Sequence, residues 1–312
     1  MQLKLESREL IIEFSLFGAS ITKIYSKKLD RNLVYGYNNL NKYSDNHMFL
    51  GTNIGRSSGR VNNASLVIDN KNYDIGKNFL DKHSLHGGDG IHNKKFDLLN
   101  LLDDKIVFGL RINHLEDLFP ANLALTITYT LNDNILALDY KGIVDRPSYL
   151  NLTNHVYFNF NEDKNQKILN HKLKINTNKY IKLDHDFIPK EISEVDKNFD
   201  FREFKEIRRD LDLKNPQLSL TGGYDHPYVF DNDDHEMIHM ASVETSDVLM
   251  NLYSDNNAVV FYAGNSMDEP QVGLCLEAQG VPNNQEFDKY KNDNLIDKDV
   301  DYEKSIVWEF II

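Results

Sequence analysis

The stretch LALTITYTLNDNILALDYKGIV, residues 123–144, decides the fold class. Its two halves alternate apolar with polar residues and are rich in Thr, Ile, Tyr and Val, which is typical of β-strands. Asn132, Asp133 and Asn134 separate the halves, and these residue types favour tight turns. The stretch therefore predicts two strands joined by a turn.

Similar short runs recur along the chain and predict further strands around residues 3–14, 65–75, 171–183, 248–264 and 305–312. Helical periodicity is weak, and the best helix candidates, residues 191–195 and 203–210, are short and highly charged. No linker rich in Pro, Gly or Ser divides the chain, and no solenoid or propeller repeat is present. We therefore predict an all-β, mainly antiparallel fold: a large β-sandwich with few short helices, in a single domain over residues 1–312.

The composition limits the classes of partner. Lys and Arg total 35 against 48 Asp and Glu, so the net charge is −13, which disfavours broad attraction to nucleic acid or to anionic membranes. Cys275 is the only cysteine, which excludes an internal disulfide and a cysteine-built zinc site. The first residues lack the pattern of a secretory signal, and no apolar run is long enough to span a bilayer. We expect a cytoplasmic protein that acts on a neutral small molecule.

The run NLTNHVYFNF, residues 151–160, reads as a strand with two different faces. Alternation places its Leu, Val and Phe side chains on one face and its Asn, Thr, His and Tyr side chains on the other. A face that met only solvent would more often carry Lys, Glu or Ser, whereas this face offers the imidazole of His155 among neutral donors and acceptors. We therefore expect His155 to face a cleft.

A glycine-containing stretch, NIGRSSGR (53–60), could bring Arg56 or Arg60 close to a ligand. Glycine allows a tight backbone turn, and a guanidinium donates hydrogen bonds without losing its proton. An ordinary surface turn is the alternative interpretation. The stretch lacks the lysine and the spacing of a phosphate-binding loop, so nucleotide binding has little support.

A second such stretch, HSLHGGDG (83–90), places His83 and His86 ahead of a glycine pair, with His92 nearby. These histidines could suggest a metal, but their spacing on a loop is not diagnostic and no ordered carboxylate pattern accompanies them. We predict no metal, and we favour His86 as a hydrogen-bonding group beside a ligand that approaches the glycine backbone.

Two later stretches contribute carboxylates. In TGGYDHPYVF (221–230), Asp225 could hold two hydroxyls, or it could cap a turn. In GLCLEAQGVPNN (273–284), a strand would place Glu277 and Cys275 on the same face. Desolvation would raise the pKa of Glu277 toward the range of a general base, unless Glu277 forms a structural ion pair, for example with Arg60. We expect Cys275 to be a small buried hydrophobe.

Together, and in this order, GRSSGRVNNA, LHGGDGIHNKKF, NLTNHVYFNF, GGYDHPYVF and GLCLEAQGVPNN resemble the successive motifs of the aldose 1-epimerases, or galactose mutarotases. FDFREF (199–204) also resembles a segment of that family. The resemblance implies a β-sandwich of the galactose mutarotase type with an open sugar-binding cleft, and neither a metal nor an organic cofactor. It implies an isomerase that interconverts the anomers of free aldohexoses such as galactose or glucose.

The resemblance also implies roles for five residues. His155 matches the family's general acid and Glu277 matches its general base, while Arg60, His86 and Asp225 match residues that bind the sugar. Each role agrees with the chemistry that the residue type supports.

Two departures from the family pattern concern substrate preference. Gly59 stands where an asparagine often precedes the binding arginine, which removes one side-chain contact to the sugar. His92 and Phe96 replace an Asp and a Trp, so we expect a differently shaped wall. Three alternatives stay open at this point: a hexose-phosphate epimerase of the same fold, a non-catalytic carbohydrate-binding protein, and a glycoside hydrolase that uses Asp225 and Glu277.

Overall fold

The computed structural model describes residues 3–312, and its strands are numbered in chain order. They are β1 (Leu3–Glu6), β2 (Leu10–Phe14), β3 (Ile21–Ser26), β4 (Arg31–Asn32), β5 (Val34–Tyr35), β6 (Asn53–Ile54), β7 (Arg60–Val61), β8 (Ser65–Ile68), β9 (Lys71–Asp74), β10 (Ser84–Leu85), β11 (Asp97–Leu101), β12 (Lys105–Ile112), β13 (Leu123–Asn132), β14 (Ile135–Val144), β15 (Ser148–Tyr149), β16 (Thr153–Asn154), β17 (Tyr157–Phe158), β18 (Lys172–Ile175), β19 (Lys179–Leu183), β20 (Pro189–Glu194), β21 (Lys205–Glu206), β22 (Asp225–Val229), β23 (Ile238–Glu244), β24 (Leu249–Ser254), β25 (Ala258–Tyr262), β26 (Cys275–Gln279), β27 (Leu295–Ile296) and β28 (Tyr302–Ile311).

The stretch that opened the sequence analysis forms the hairpin β13–β14. Its strands pair antiparallel from Leu123↔Val144 to Asn132↔Ile135, and Asp133 adopts a positive φ of 47° in the turn. Alternate side chains of β13 are buried, because one face of this hairpin covers the core. The predicted strands and turn are therefore confirmed.

Three larger sheets contain most of the strand residues. A nine-stranded sheet has the order β11-β12-β13-β14-β28-β24-β23-β18-β21, a five-stranded sheet has the order β20-β19-β22-β25-β26, and a four-stranded sheet runs β1-β2-β3-β4. Neighbouring strands within these sheets pair antiparallel. The predicted all-β, mainly antiparallel fold class is confirmed.

One buried apolar cluster connects the three sheets. It contains side chains from β2, β13, β25, β26 and β28, for example Ile12, Ile127, Phe261, Leu276 and Trp308. Burial of this much apolar surface is the main term that stabilises the fold. That residues 1–312 form one domain stays a prediction, which this continuous core supports.

Helices are few and short. The α-helix α1 (Pro216–Thr221) begins at Asn215, whose side chain accepts hydrogen bonds from the backbone N–H groups of Gln217 and Leu218, and it ends at Gly222 in the left-handed conformation. Short 3₁₀ segments lie at Leu40–Asp45, Asn62–Ala64, Ile91–Asn93, Ile168–Asn170 and Asn284–Glu286. None of the helices within residues 3–312 has the length and apolar character needed to cross a lipid bilayer.

Both helix candidates from the sequence are wrong. Residues 191–195 fall mostly in β20, which pairs with β19, and residues 203–210 contain β21 followed by turns. Ile192 packs against a buried cluster while its charged neighbours stay outside. A helix of one or two turns offsets its nucleation cost only with help from caps and packing, as α1 has, so in these two segments pairing with an existing strand prevails.

Residues 151–160 also differ from the expected continuous strand. β16 pairs with β6 and β17 pairs with β5, so the run is divided at His155. Side chains on both faces are buried, because the segment passes through the interior and its amides bond to the backbone. Asn151, for example, donates to the carbonyl of Gly280 at 3.1 Å and accepts from its N–H at 2.8 Å. Only part of the polar face therefore reaches a cleft.

A buried ion pair holds the stretch that precedes β7. Arg56 is fully buried and donates to Asp117 at 2.8 Å, to the carbonyl of Pro120 at 2.9 Å and to that of Ala121 at 3.2 Å. Of the two arginines that the sequence offered as ligand contacts, Arg56 is thus structural, and Arg60 lies at the cleft.

Candidate active site

An open cleft lies at one side of the five-stranded sheet, with a cavity of about 320 Å³. Its lining includes every residue that the sequence analysis proposed for the site, namely Arg60, His86, His155, Asp225 and Glu277. These residues come from β7, β22, β26 and two loops. The fold therefore brings together side chains that lie more than 200 positions apart in the chain.

The centre of the cleft is a buried imidazole–carboxyl pair. His155 Nε2 lies 3.5 Å from Glu277 Oε1, and the two residues are 4% and 3% exposed. β26 holds Glu277 through its pairing with β25. The backbone of His155 is held by hydrogen bonds to Thr52 and Gly51, at 2.8 and 3.0 Å. The backbone of both residues is thus fixed by hydrogen bonds.

Burial moves the pKa values of this pair in opposite directions. Desolvation lowers the pKa of His155 from 6.5 to about 4. It raises the pKa of Glu277 from 4.5 to about 8, nearby Asp225 raises it further, and Arg60 opposes the rise. Between these values the two groups hold one proton between them, which sits on the Glu277 carboxyl, while the imidazole of His155 is neutral and free to accept a proton. The site is therefore equipped to give one proton and take another near neutral pH.

The second nitrogen of His155 meets the only cysteine. Nδ1 lies 3.4 Å from Cys275 Sγ, and Cys275 lies two residues before Glu277 on the same face of β26. Burial raises the pKa of the thiol well above 9, so it stays protonated. The expectation that Cys275 is a small buried group is confirmed.

Arg60 pairs with Asp225 and not with Glu277. Its Nη2 donates to Asp225 Oδ2 at 2.9 Å, and both side chains are slightly exposed to the cleft. The structural Arg60–Glu277 ion pair that the sequence left open is therefore wrong. Asp225 begins β22 and pairs there with Tyr262, so its carboxylate faces the cavity instead of capping a turn.

His86 presents a defined nitrogen to the cleft. The backbone N–H of Gly59 donates to its Nδ1 at 3.3 Å, and burial lowers the pKa of His86 well below 6.5. The imidazole is thus neutral with its hydrogen on Nε2. Gly87 is required beside it, because a side chain there would meet the backbone oxygen of Gly55 at 2.7 Å.

The other two histidines of the region lie outside the cavity lining. His83 contacts Asp186 at 3.2 Å, and His92 packs against the ring of Phe49 at 4.8 Å between centroids. Among residues 3–312, the group whose donor atoms come close enough for a metal, within 4.8 Å, is His86, His155 and Glu277. His86 would have to move its hydrogen to Nδ1, against the N–H of Gly59, to coordinate through Nε2. These donors fit a hydrogen-bonded ligand better than an ion.

The two departures noted in the sequence have different outcomes. Gly59 has a φ of 73°, and a side chain there would lie 2.8 Å from Cβ of Pro282, so the proline ring occupies this part of the wall. Phe96 is buried in the core and does not line the cavity. The side of the cleft near His92 is formed by Phe49, whose ring centroid lies 4.7 Å from the ring centroid of His86.

Sequence reasoning missed the aromatic lining residues Phe49 and Tyr262. The conformation of Phe49, with a φ of 58°, depends on its tertiary surroundings. Tyr262 ends β25, and its place in VVFYAG gave no sign that it faces the cleft. Periodicity marks such residues as core, and nothing local separates a core aromatic from a cleft aromatic.

The fold and the cleft define a class: a mainly antiparallel all-β protein with a buried imidazole–carboxyl pair in an open cavity. A family model described as aldose 1-epimerase matches residues 1–294. The aldose 1-epimerase of Escherichia coli is 31% identical over 256 residues, which are 77% of this chain and 73% of that protein. The aldose 1-epimerase of Haemophilus influenzae is 28% identical over 83% of this chain and 79% of its own. Human galactose mutarotase is 27% identical over 89% and 85%.

Solved structures show the same fold. An aldose epimerase homologue from C. elegans superposes with a TM-score of 0.89 at 23% identity, covering 100% of this chain and 98% of that one. A galactose 1-epimerase from Lactobacillus acidophilus gives 0.88 at 24% identity, covering 99% and 93%. The chain belongs to the aldose 1-epimerase family, which is a family of isomerases. The family resemblance and the enzyme class inferred from the motifs are confirmed.

Proposed function

We propose that the protein interconverts the α and β anomers of free aldohexoses such as galactose or glucose, by acid–base-catalysed ring opening and reclosure. The observation that carries this proposal is the buried pair of His155 and Glu277, 3.5 Å apart at the cleft and sharing one proton near neutral pH. Anomer exchange requires one proton to leave the anomeric hydroxyl and another to reach the ring oxygen.

In the ring-opening step, the proton of Glu277 first passes to Nε2 of His155, 3.5 Å away. Glu277, now a carboxylate, takes the proton of the anomeric hydroxyl. His155 as imidazolium gives its Nε2 proton to the ring oxygen while the bond between the anomeric carbon and the ring oxygen breaks. The product is the open-chain aldehyde, and the pair again holds one proton, now on Glu277. Rotation about the bond between the first and second carbons presents the other face of the carbonyl. Ring closure with the roles reversed gives the other anomer and restores the enzyme.

The remaining cleft residues hold the sugar in register. Asp225 accepts hydrogen bonds from hydroxyls, Arg60 donates to hydroxyl oxygens, and the fixed Nε2–H of His86 donates to one further oxygen. Positioning of this kind contributes to rate because the reacting atoms stay close and aligned. These roles agree with the roles that the family motifs imply.

The charge of the cleft favours a neutral sugar over a phosphorylated one. The lining contains the carboxyl groups of Asp225, Asp268 and Glu277, and among residues 3–312 the one Lys or Arg that it includes is Arg60. Neither Lys94 nor Lys95, the pair noted in the sequence, lines the cavity, and Lys94 contacts Glu116 at 3.5 Å. A phosphate would meet repulsion here without a second cation to offset it.

Proton NMR of freshly dissolved α-D-galactose tests the proposal. The wild type should speed the approach of the two anomeric signals to equilibrium, and His155→Asn and Glu277→Gln should remove that gain. His235→Asn, which changes an exposed histidine, serves as the matched control. Anomerisation at the spontaneous rate for galactose, glucose and maltose would contradict the proposal. It would favour the carbohydrate-binding or sugar-phosphate alternatives, whereas release of reducing sugar from a disaccharide would indicate a glycoside hydrolase.

A further inference from the structure

Arg60 needs more than its ion pair to stay in one conformation. Its side chain is 18% exposed, and one nitrogen, Nη2, contacts Asp225 at 2.9 Å. Its Nε is buried and has no hydrogen-bond partner among residues 3–312. A single, partly solvated contact fixes a long side chain poorly, because rotamer freedom and solvent screening both oppose it.

Two aromatic rings supply the missing restraint. The guanidinium carbon of Arg60 lies 5.0 Å from the ring centroid of Phe79 and 5.6 Å from that of Phe187. The rings are 5.9 Å apart and nearly perpendicular, at 81°. A guanidinium over aromatic faces gains both charge–quadrupole attraction and contact area. We call these two side chains the aromatic clamp.

The clamp is assembled from two loops that are connected to each other. Phe79 precedes β10, and Phe187 lies in the turn between β19 and β20. Asp186, next to Phe187, accepts hydrogen bonds from Lys82 Nζ at 2.8 Å and from His83 Nε2 at 3.2 Å. The backbone N–H of Asn63 donates to the other nitrogen of His83 at 3.0 Å, so Nε2 carries the hydrogen. The two loops, and with them the two rings, are therefore held together across Arg60.

We propose that Phe79 and Phe187 are positioning residues that fix the Arg60 guanidinium in the cleft for sugar binding. The inference rests on the proposed function for its kinetic readout. Phe79 also lines the cavity, whereas Phe187 is not among the lining residues. Phe187 therefore acts on the sugar through Arg60, and it is the cleaner position to change.

Arg60 also acts on the acid–base pair through its charge. Seven titratable side chains surround Glu277: Arg60, His86, His155, Tyr157, Asp225, Tyr262 and Cys275. Of these, Arg60 lowers the pKa of Glu277, while Asp225 and burial raise it. If the guanidinium of Arg60 is released from the clamp, it lowers the pKa of Glu277 less. The alkaline limb of the pH–rate profile should then move to higher pH, a change that a general loss of packing does not produce.

Phe187→Leu tests the clamp, because leucine keeps the apolar contact and removes the aromatic face. KM for galactose should rise about 3- to 30-fold with kcat little changed, the range that loss of one such contact gives. Phe187→Tyr should restore KM, and Asp186→Asn should raise it less, because it loosens the loop without touching Arg60. Phe204→Ala removes an exposed ring elsewhere and is the control. The dissociation constant for galactose should change in parallel with KM.

A double-mutant cycle assigns the effect to Arg60. In an Arg60→Met background, which has no cation to hold, Phe187→Leu should change the dissociation constant for galactose by less than about twofold. The pH of the alkaline limb should stay where Arg60→Met alone places it. Equal effects in both backgrounds, or wild-type KM and alkaline limb in Phe187→Leu, would overturn the clamp. A joint fall of kcat and melting temperature in both Phe187→Leu and Asp186→Asn would also overturn it, because it would indicate a general loss of stability. If the wild type binds galactose without anomerising it, the proposed function fails, and the dissociation constants still test the clamp.

Discussion

Replacement of Glu277 by glutamine is the most direct perturbation of the proposed chemistry. Glutamine keeps the size of the buried side chain, but its amide neither takes nor returns a proton. Loss of one proton-transfer group lowers rates by about 10²- to 10⁴-fold, which corresponds to about 3 to 5 kcal/mol in the activation barrier. Since Arg60, His86 and Asp225 stay in place, we expect the loss in kcat and little change in KM.

The same substitution should stabilise the fold at alkaline pH. A carboxyl whose pKa is raised on folding binds more protons in the folded state, so stability falls as pH rises from the unfolded value, 4.5, through the folded value of about 8. With about 1.4 kcal/mol for each pH unit, the cost approaches about 5 kcal/mol above pH 8. Glutamine carries no such cost. The variant should therefore match the wild type near pH 4 and exceed its stability increasingly up to pH 8.

Anomer exchange followed by proton NMR gives kcat and KM, and urea unfolding at pH 4, 6 and 8.5 gives the free energy of unfolding. Glu303→Gln is the matched control, because Glu303 is 67% exposed on β28. It should leave both activity and the pH dependence of stability close to wild type. Wild-type kcat in Glu277→Gln would refute the proposed base. A stability difference from wild type that does not change between pH 4 and 8.5 would refute the reasoning from burial.

Four further outcomes follow from the same geometry. The pH–rate profile of kcat should be bell-shaped with limbs at about pH 4 and about pH 8, because the pair of His155 and Glu277 holds one proton between those values. Polarimetry of anomer exchange across roughly pH 3.5–9.5 checks this, and a flat profile contradicts it. His86→Asn should raise KM by about 2- to 10-fold through loss of one fixed donor, as steady-state kinetics would show. Arg56→Ala should lower the free energy of unfolding by about 3–5 kcal/mol, because it leaves the buried carboxylate of Asp117 unpaired; a melting temperature within a few degrees of wild type would be inconsistent with that. Dialysis against EDTA should leave kcat unchanged, and loss of activity that returns with an added divalent ion would reverse the prediction of no metal.

Much of the fold could be predicted from local pattern alone. The alternation in residues 123–144 specifies two strands and their buried faces, because side chains of a strand point to opposite sides in turn. The same rule placed Cys275 and Glu277 on one face of β26 and identified His155 as an unusual group on a strand-like run. Glycines before Asp225 and after His86 marked positions where the backbone turns or approaches closely.

Only the tertiary structure decided which of these groups meet. Cys275 and His155 are 120 positions apart, and Arg60 and Asp225 are 165 apart, so their contacts depend on how distant strands pair and pack. The sequence allowed Arg60 to pair with Glu277, and packing paired it with Asp225.

The same limit explains the residues that sequence reasoning missed. Phe187 lies in a turn with no local sign of function, and it acquires a role because Asp186 joins its loop to the loop of Phe79. Residue type and period are local properties and determined the strands, the polar face and the candidate acid and base. The shared proton, the Arg60–Asp225 pair and the aromatic clamp arise from burial and proximity, which exist only once the chain has folded.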